Sequence, residues 1–303
     1  MPDGAVPRGA AVPGLPPFPG GPPLPAGTPG PPRGMLVAAA HGSADPRAAA
    51  VTGDLMAVAA RRAAARGLGV PCLRAAYLGH ARPSLARLLG TLRPGEQVTV
   101  LPLLLTAAYH SKTDIPRVLA RFPWLRVRYG GTLGPHPLLL RALERGLLAQ
   151  PGAAAAGREQ TGIVLAAAGS SDPEANVTVA RLAARWQSEG GWFAVRPGYA
   201  SAGQPSGAEV PPGSPGPPRA AVPHGPPIPS PAAAVAGLLR DGARRVLVAS
   251  YLLAPGTFAD RIRRSCLAAD AAAVGPPLGA APEVADVLLD RYAEACSAGT
   301  AAA

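Results

Sequence analysis

Short apolar runs closed by small or polar residues alternate along this chain with longer segments of mixed character. Met35-Leu36-Val37-Ala38-Ala39-Ala40 runs into His41-Gly42-Ser43, and Val98-Thr99-Val100-Leu101-Pro102-Leu103-Leu104-Leu105 runs into Thr106-Ala107-Ala108-Tyr109-His110. Runs this short, rich in Val and Leu and bounded by Gly or a polar loop, read as buried parallel strands. The pattern predicts strands near 35–40, 71–77, 97–105 and 125–130, with helices near 46–66, 83–90, 113–121 and 137–149. Pro46 and Pro137 suit first helical turns, and Asp45 and Ser84 suit helix starts. Strands separated by helices of this length imply right-handed crossovers and a parallel sheet.

The second half repeats the first. Ala40-His41-Gly42-Ser43-Ala44-Asp45-Pro46 matches Ala167-Ala168-Gly169-Ser170-Ser171-Asp172-Pro173, again after an apolar run, Ile163-Val164-Leu165. Ala76-Tyr77 has a counterpart in Gly198-Tyr199, and Val246-Leu247-Val248-Ala249-Ser250-Tyr251-Leu252-Leu253 takes the place of the 98–105 strand. The expected fold class is therefore α/β, as two duplicated lobes, each a mainly parallel sheet flanked by helices. The first lobe is expected over 35–150, a linker over 151–160 and the second lobe over 161–296. Ala168 stands where His41 stands, and Phe258 where His110 stands. A site shared by the two imidazoles explains their joint loss from the second copy, whereas two unrelated core histidines would have no reason to disappear together.

Composition adds two segments that lack this pattern. Residues 1–34 hold 12 Pro and 8 Gly, and residues 201–231 hold 11 Pro and 5 Gly. Such stretches bury too little apolar surface to offset the entropy of ordering, so a disordered tail and a flexible insertion in the second lobe are expected. His224 lies in that insertion and is given no chemical role. The net charge is +11, and Lys112 is the only lysine. The predominance of Arg fits either codon bias in a GC-rich genome, which also gives the surplus of Ala, Gly and Pro, or an acidic partner, since Arg pairs well with carboxylates and phosphates. Scattered Arg and an aromatic content of 4% argue against nucleic acid. Cys72, Cys266 and Cys296 form no Cys-x-x-Cys pair, which suits a reducing compartment. The amino terminus lacks a secretion-signal pattern and no run approaches the ~18 apolar residues needed to span a bilayer, so a cytoplasmic protein without membrane association is expected.

The candidate chemistry lies at the strand ends. In open α/β sheets ligands bind beyond the carboxyl ends of the strands. His41 and His110 are delivered there from two strands and could share a divalent metal, for which neutral imidazole is the commonest protein ligand. His136, in Gly134-Pro135-His136-Pro137, reads as a turn residue. Ser43 lacks the Gly-x-Ser-x-Gly elbow of a nucleophile and reads as a small polar group near the metal or as a loop cap.

The strand into His41-Gly42-Ser43-x-Asp45-Pro46, followed by Leu101-Pro102-Leu103-Leu104-Leu105, Tyr109-His110 and Asp114-Ile115-Pro116, resembles the sirohydrochlorin chelatases of the CbiX type, in the class II chelatase superfamily. The resemblance covers about residues 35–150 well and 160–295 more loosely, with Phe258-Ala259-Asp260-Arg261-Ile262 as the matching segment of the second half. It implies two chelatase-like lobes and insertion of Co²⁺ or Fe²⁺ into sirohydrochlorin, toward cobalamin or sirohaem, with no bound organic cofactor. His41 and His110 would bind the metal and take up pyrrole protons. Ser43, His80 and Asp114 are the candidates to stand behind them, Asp114 orienting an imidazole or a metal-bound water, while His80 reads equally as a ligand or as a surface loop residue next to Pro83. Many members carry a Glu where this chain has Tyr77-Leu78-Gly79-His80, so His80 sits beside a missing carboxylate. Arg residues lining the cleft would hold the macrocycle's carboxylates, with Arg47 and Lys112 nearest the histidine motifs. The duplication suits a self-sufficient monomer.

Two other functions are compatible with the same residues. A metal or tetrapyrrole carrier would use the same imidazoles without turnover. Phosphotransfer through His41 is disfavoured, because histidine phosphatases place an Arg before the histidine and Ala40 stands there.

Overall fold

The computed structural model describes residues 34–70, 72–107, 109–153, 156–201 and 228–298, with His110 described by its backbone alone. The first lobe runs β1 (Met35–Ala40), α1 (Pro46–Ala65), β2 (Cys72–Tyr77), α2 (Leu85–Leu89), β3 (Gln97–Pro102), a π turn (His110–Asp114), α3 (Ile115–Leu119), β4 (Arg126–Tyr129) and α4 (Pro137–Leu148). The second runs β5 (Thr161–Ala167), α5 (Pro173–Gly190), β6 (Ala194–Tyr199), α6 (Pro231–Arg240), β7 (Arg245–Tyr251), α7 (Thr257–Leu267), β8 (Ala273–Val274) and α8 (Pro282–Ala298). The sheets have orders β2-β1-β3-β4 and β6-β5-β7-β8, and every pairing is parallel. The two duplicated parallel-sheet lobes expected from the repeat are therefore present.

Local chemistry explains the elements. The central strands are apolar on both faces because helices cover both sides; Leu36, Val37 and Ala38 in β1 and Ile163, Val164 and Leu165 in β5 are fully buried. Asp45 caps α1 by accepting from the Arg47 N–H, and Ser84 caps α2 by accepting from Arg87. Two expectations shift. β3 ends at Pro102 rather than 105, and a five-residue π turn precedes α3, so the third helix begins at 115 instead of 113. The expectations for the tail and for His224 lie outside the described residues, apart from Gly34. The closing residues of the Pro-rich 201–231 segment are folded: the Pro229 carbonyl accepts from Tyr199, Ser230 caps α6 and Pro231 opens it.

The lobes share their covering helices. α8, the last helix of the second lobe, packs on α1, α4 and β3 of the first; α4, the last of the first lobe, packs on β7 of the second. One apolar core accordingly joins Leu55, Leu101 and Leu139 to Leu165, Leu247 and Leu288. Ion pairs Arg62–Asp286, Arg66–Asp290 and Arg145–Glu283 border this exchange. The buried Tyr251 hydroxyl, on β7, donates to the Leu105 carbonyl at 3.0 Å, fixing the loop after β3 against the second sheet. Among the described residues no helix is long and apolar enough to cross a membrane.

Candidate functional site

The order β2-β1-β3-β4 reverses direction between β1 and β3, because the chain leaves β1 toward one edge and returns across it to reach the other. Loops diverge at such a switch point and open a crevice beyond the carboxyl ends of the two strands. His41 follows β1 directly, and His110 opens the π turn after β3. Single π turns inside helical segments recur at functional positions.

Backbone bonds set the first loop. The Leu78 and Gly79 N–H groups donate to the carbonyls of Ala40 and His41, at 3.0 Å each, drawing the segment after β2 alongside the histidine. Gly42 has φ of +92°, and a Cβ there would collide with the Gly79 carbonyl, so only glycine permits this approach. His80 takes a left-handed conformation with φ of +59°. The imidazoles of His41 and His80 consequently meet edge to face with centroids 6.5 Å apart, and both residues are exposed.

The second lobe reproduces this loop bond for bond. Ala200 and Ser201 donate to Ala167 and Ala168, Gly169 has φ of +84°, and the Asp172 N–H donates to Ser170 Oγ as that of Asp45 does to Ser43 Oγ. Ser43 is thus a loop cap. Asp114 ends the π turn, and its carboxylate does not cap α3. Tyr129, at the end of β4, donates its hydroxyl to the Ser111 carbonyl at 2.6 Å and so braces the turn from below. Burial raises the Tyr129 pKa to about 12, so the phenol remains a donor at neutral pH. Among the described residues no group of three or more His, Cys, Asp or Glu is gathered to hold a metal.

Arg47 and Lys112, the basic residues that follow His41 and His110 most closely in sequence, are both paired across to the second lobe. Arg47 bonds Asp45 and, on α7, Asp260 (2.6 Å); Lys112 bonds Asp172 (3.1 Å) and Glu174 (2.9 Å) at the start of α5. These partners hold the carboxyls of Asp45 and Asp172 below their usual range and raise Lys112 above its own, chiefly through Glu174. Ser43 Oγ lies 4.0 Å from where a Cβ of Gly256 would sit, so the loop before α7 also borders the site. Sequence reading named Arg47 and Lys112 but missed their acidic partners. The repeat held the signal, since Arg47 aligns with Glu174 and Lys112 with Asp260.

His136 caps α4, its Nδ1 accepting from the Leu138 N–H at 3.2 Å, in keeping with its reading as a turn residue. Burial, and next the nearby Arg291, lower its pKa. Protonating Nδ1 would break the cap, so the folded state favours neutral imidazole. The unfolded state then binds more protons below about pH 6.5. Stability is complete above that pH and declines as pH falls toward the lowered folded value. Melts at pH 7.5 and 5.5 should show a smaller drop for His136→Asn, which caps without titrating; an equal drop would remove His136 as the cause.

The CbiX family model matches residues 35–149 and 228–295. Among solved structures, SirB from Bacillus subtilis with Fe³⁺ is 21% identical, over 87% of this chain and 95% of that one, with a TM-score of 0.63. DR2241 from Deinococcus radiodurans, a multi-domain protein with structural similarity to chelatases, is 21% identical over 86% of this chain and 54% of its own, with a TM-score of 0.63. CbiX, the terminal enzyme for biosynthesis of siroheme in denitrifying bacteria, is 22% identical over 86% and 99%, with a TM-score of 0.56. No curated protein matched. At these identities the structures establish a class II chelatase-like fold.

Proposed function

The chain belongs to the CbiX family, and we propose that it is a sirohydrochlorin chelatase inserting Co²⁺ or Fe²⁺ into the macrocycle. The observation that carries this reading is the family match over residues 35–149, which contains both His41 and His110 at the switch point of the first sheet. Metallation requires stripping water from a divalent ion and removing two pyrrole protons. A neutral imidazole can bind the ion through one nitrogen and can accept a proton near neutrality. In this reading His41 and His110 do both, and His80, 6.5 Å from His41 between ring centroids, is the third polar group in place of the family's carboxylate. Ser43 shapes the His41 loop, and Asp114 orients an imidazole or a metal-bound water.

Incubating the protein with sirohydrochlorin and Co²⁺, Fe²⁺ or Ni²⁺ in parallel, followed by absorbance, tests the assignment. Many equivalents of metallated product per protein are expected. A plateau at one equivalent identifies a carrier, and no spectral change with any of the metals overturns the reading. Tyr129→Phe removes the brace on the His110 turn, a bond worth ~1 kcal/mol, so turnover should fall about fivefold with KM for the macrocycle unchanged. Unchanged turnover would show that the turn holds its shape without the phenol.

A further inference from the structure

Two clusters of ion pairs join the lobes beside the candidate site, and the repeat makes them the same contact formed twice. The alignment that sets Ala168 on His41 sets Glu174 on Arg47, and the one that sets Leu253 on Leu105 sets Asp260 on Lys112. Arg47–Asp260 and Lys112–Glu174 therefore join equivalent positions in opposite order. In both, the site-bearing lobe supplies the cation and the second lobe the acid.

Their environment is unlike that of a brace. The Arg47, Lys112 and Asp260 side chains are about half exposed, at 52%, 48% and 49%, and that of Glu174 is 82% exposed. Exposed pairs contribute little net stability, because water solvates the separated partners almost as well. Such partners are readily exchanged for another carboxylate. Each cation also follows a candidate histidine closely, Arg47 six residues after His41 and Lys112 two after His110. Arg47 lies in the first turn of the helix that follows the His41 loop, and Lys112 lies in the π turn that His110 opens.

We propose that Arg47 and Lys112 are the carboxylate-binding groups of the site, and that a polycarboxylate macrocycle engages them by displacing Asp260 and Glu174. This rests on the reading that such a macrocycle is the substrate. Each cation trades one carboxylate for another, so no buried charge is stranded and the displaced acids return to water. Asp45 and Asp172 keep their places as caps of α1 and α5. The second lobe, having lost the histidines, thereby acts as an internal competitor that admits only ligands offering at least two carboxylates at the right separation.

Equilibrium binding of uroporphyrin, a metal-free porphyrin with carboxylates around its rim, followed by fluorescence in the intact chain, tests the exchange. Asp260→Asn with Glu174→Gln should bind about threefold or more tighter than wild type, whereas Arg47→Gln with Lys112→Gln should bind about tenfold weaker. Both differences should shrink in about 0.5 M salt. Glu96→Gln with Glu159→Gln makes the same charge change at exposed positions before the amino ends of β3 and β5, and should leave affinity near wild type. A structural brace would make both cross-lobe pairs weaken binding. Loss of affinity in the Asp260/Glu174 variant, a gain no larger than the control's, or no uroporphyrin binding by any variant overturns the proposal. Because this readout needs no metal insertion, opposite shifts in a protein that fails to metallate sirohydrochlorin keep the exchange and discard only the chelatase reading.

Discussion

Replacing His41 or His110 with alanine should lower metal insertion by about a hundredfold or more, the range expected when a positioned acid–base group is removed. The double variant should be little worse than either single one, since groups acting as a unit are strongly non-additive. His41 is exposed, outside the core, and substitutions at such positions shift stability by about 0.5 kcal/mol or less. Lost turnover with an unchanged melting temperature would thus locate the defect in chemistry. His80→Ala is the graded comparison: as a supporting group beside His41 it should slow the reaction without abolishing it. Near-normal rates in either the His41 or the His110 variant would sink the assignment of roles.

The largest expected change in stability lies far from those histidines. Glu144 on α4 is buried and accepts from the Arg158 guanidinium and, at 3.1 Å, from the Trp186 indole on α5. Arg158 also lies over the Trp192 ring, 4.6 Å from its centroid, and donates to the Gly190 carbonyl at 3.0 Å. Arg158→Met leaves the Glu144 carboxylate in the core without its counter-charge. Breaking a buried pair from one side costs about 3–5 kcal/mol; with the Arg158 side chain 34% exposed, water can partly replace it, and about 2–4 is expected. The melting temperature should fall by roughly 5–10 °C. Adding Glu144→Leu removes the stranded charge and should recover much of the loss, leaving mainly the unpaired Trp186 indole. A double variant no more stable than Arg158→Met would show that the damage comes from lost packing on Trp192.

Much of this architecture could be read residue by residue. β1 begins and ends at the expected positions, and α1 and α4 fall within one residue of theirs, because apolar runs, the Asp45 cap and the first-turn prolines Pro46 and Pro137 are local signals. The repeat around Gly42 and Gly169 was legible because the same tight approach demands glycine in both lobes. The π turn was not, since nothing in His110–Asp114 distinguishes a widened turn from an ordinary helix start. Nor was the pairing of Arg47 with Asp260, 213 residues away: charge reversal at matched repeat positions was visible, but its meaning needed the two loops to face each other.

Alternating apolar runs, helix caps and the duplicated motif, all carried by neighbouring residues, were enough to specify two parallel-sheet lobes and to set histidines at the strand ends of only one. The tertiary structure alone decided that α4 and α8 cover each other's sheets, that the His80 ring meets the His41 ring, and that the cations beside the histidines rest on acids of the opposite lobe. Those arrangements depend on which distant surfaces are buried together, and periodicity within a segment carries no information about the partner it will meet.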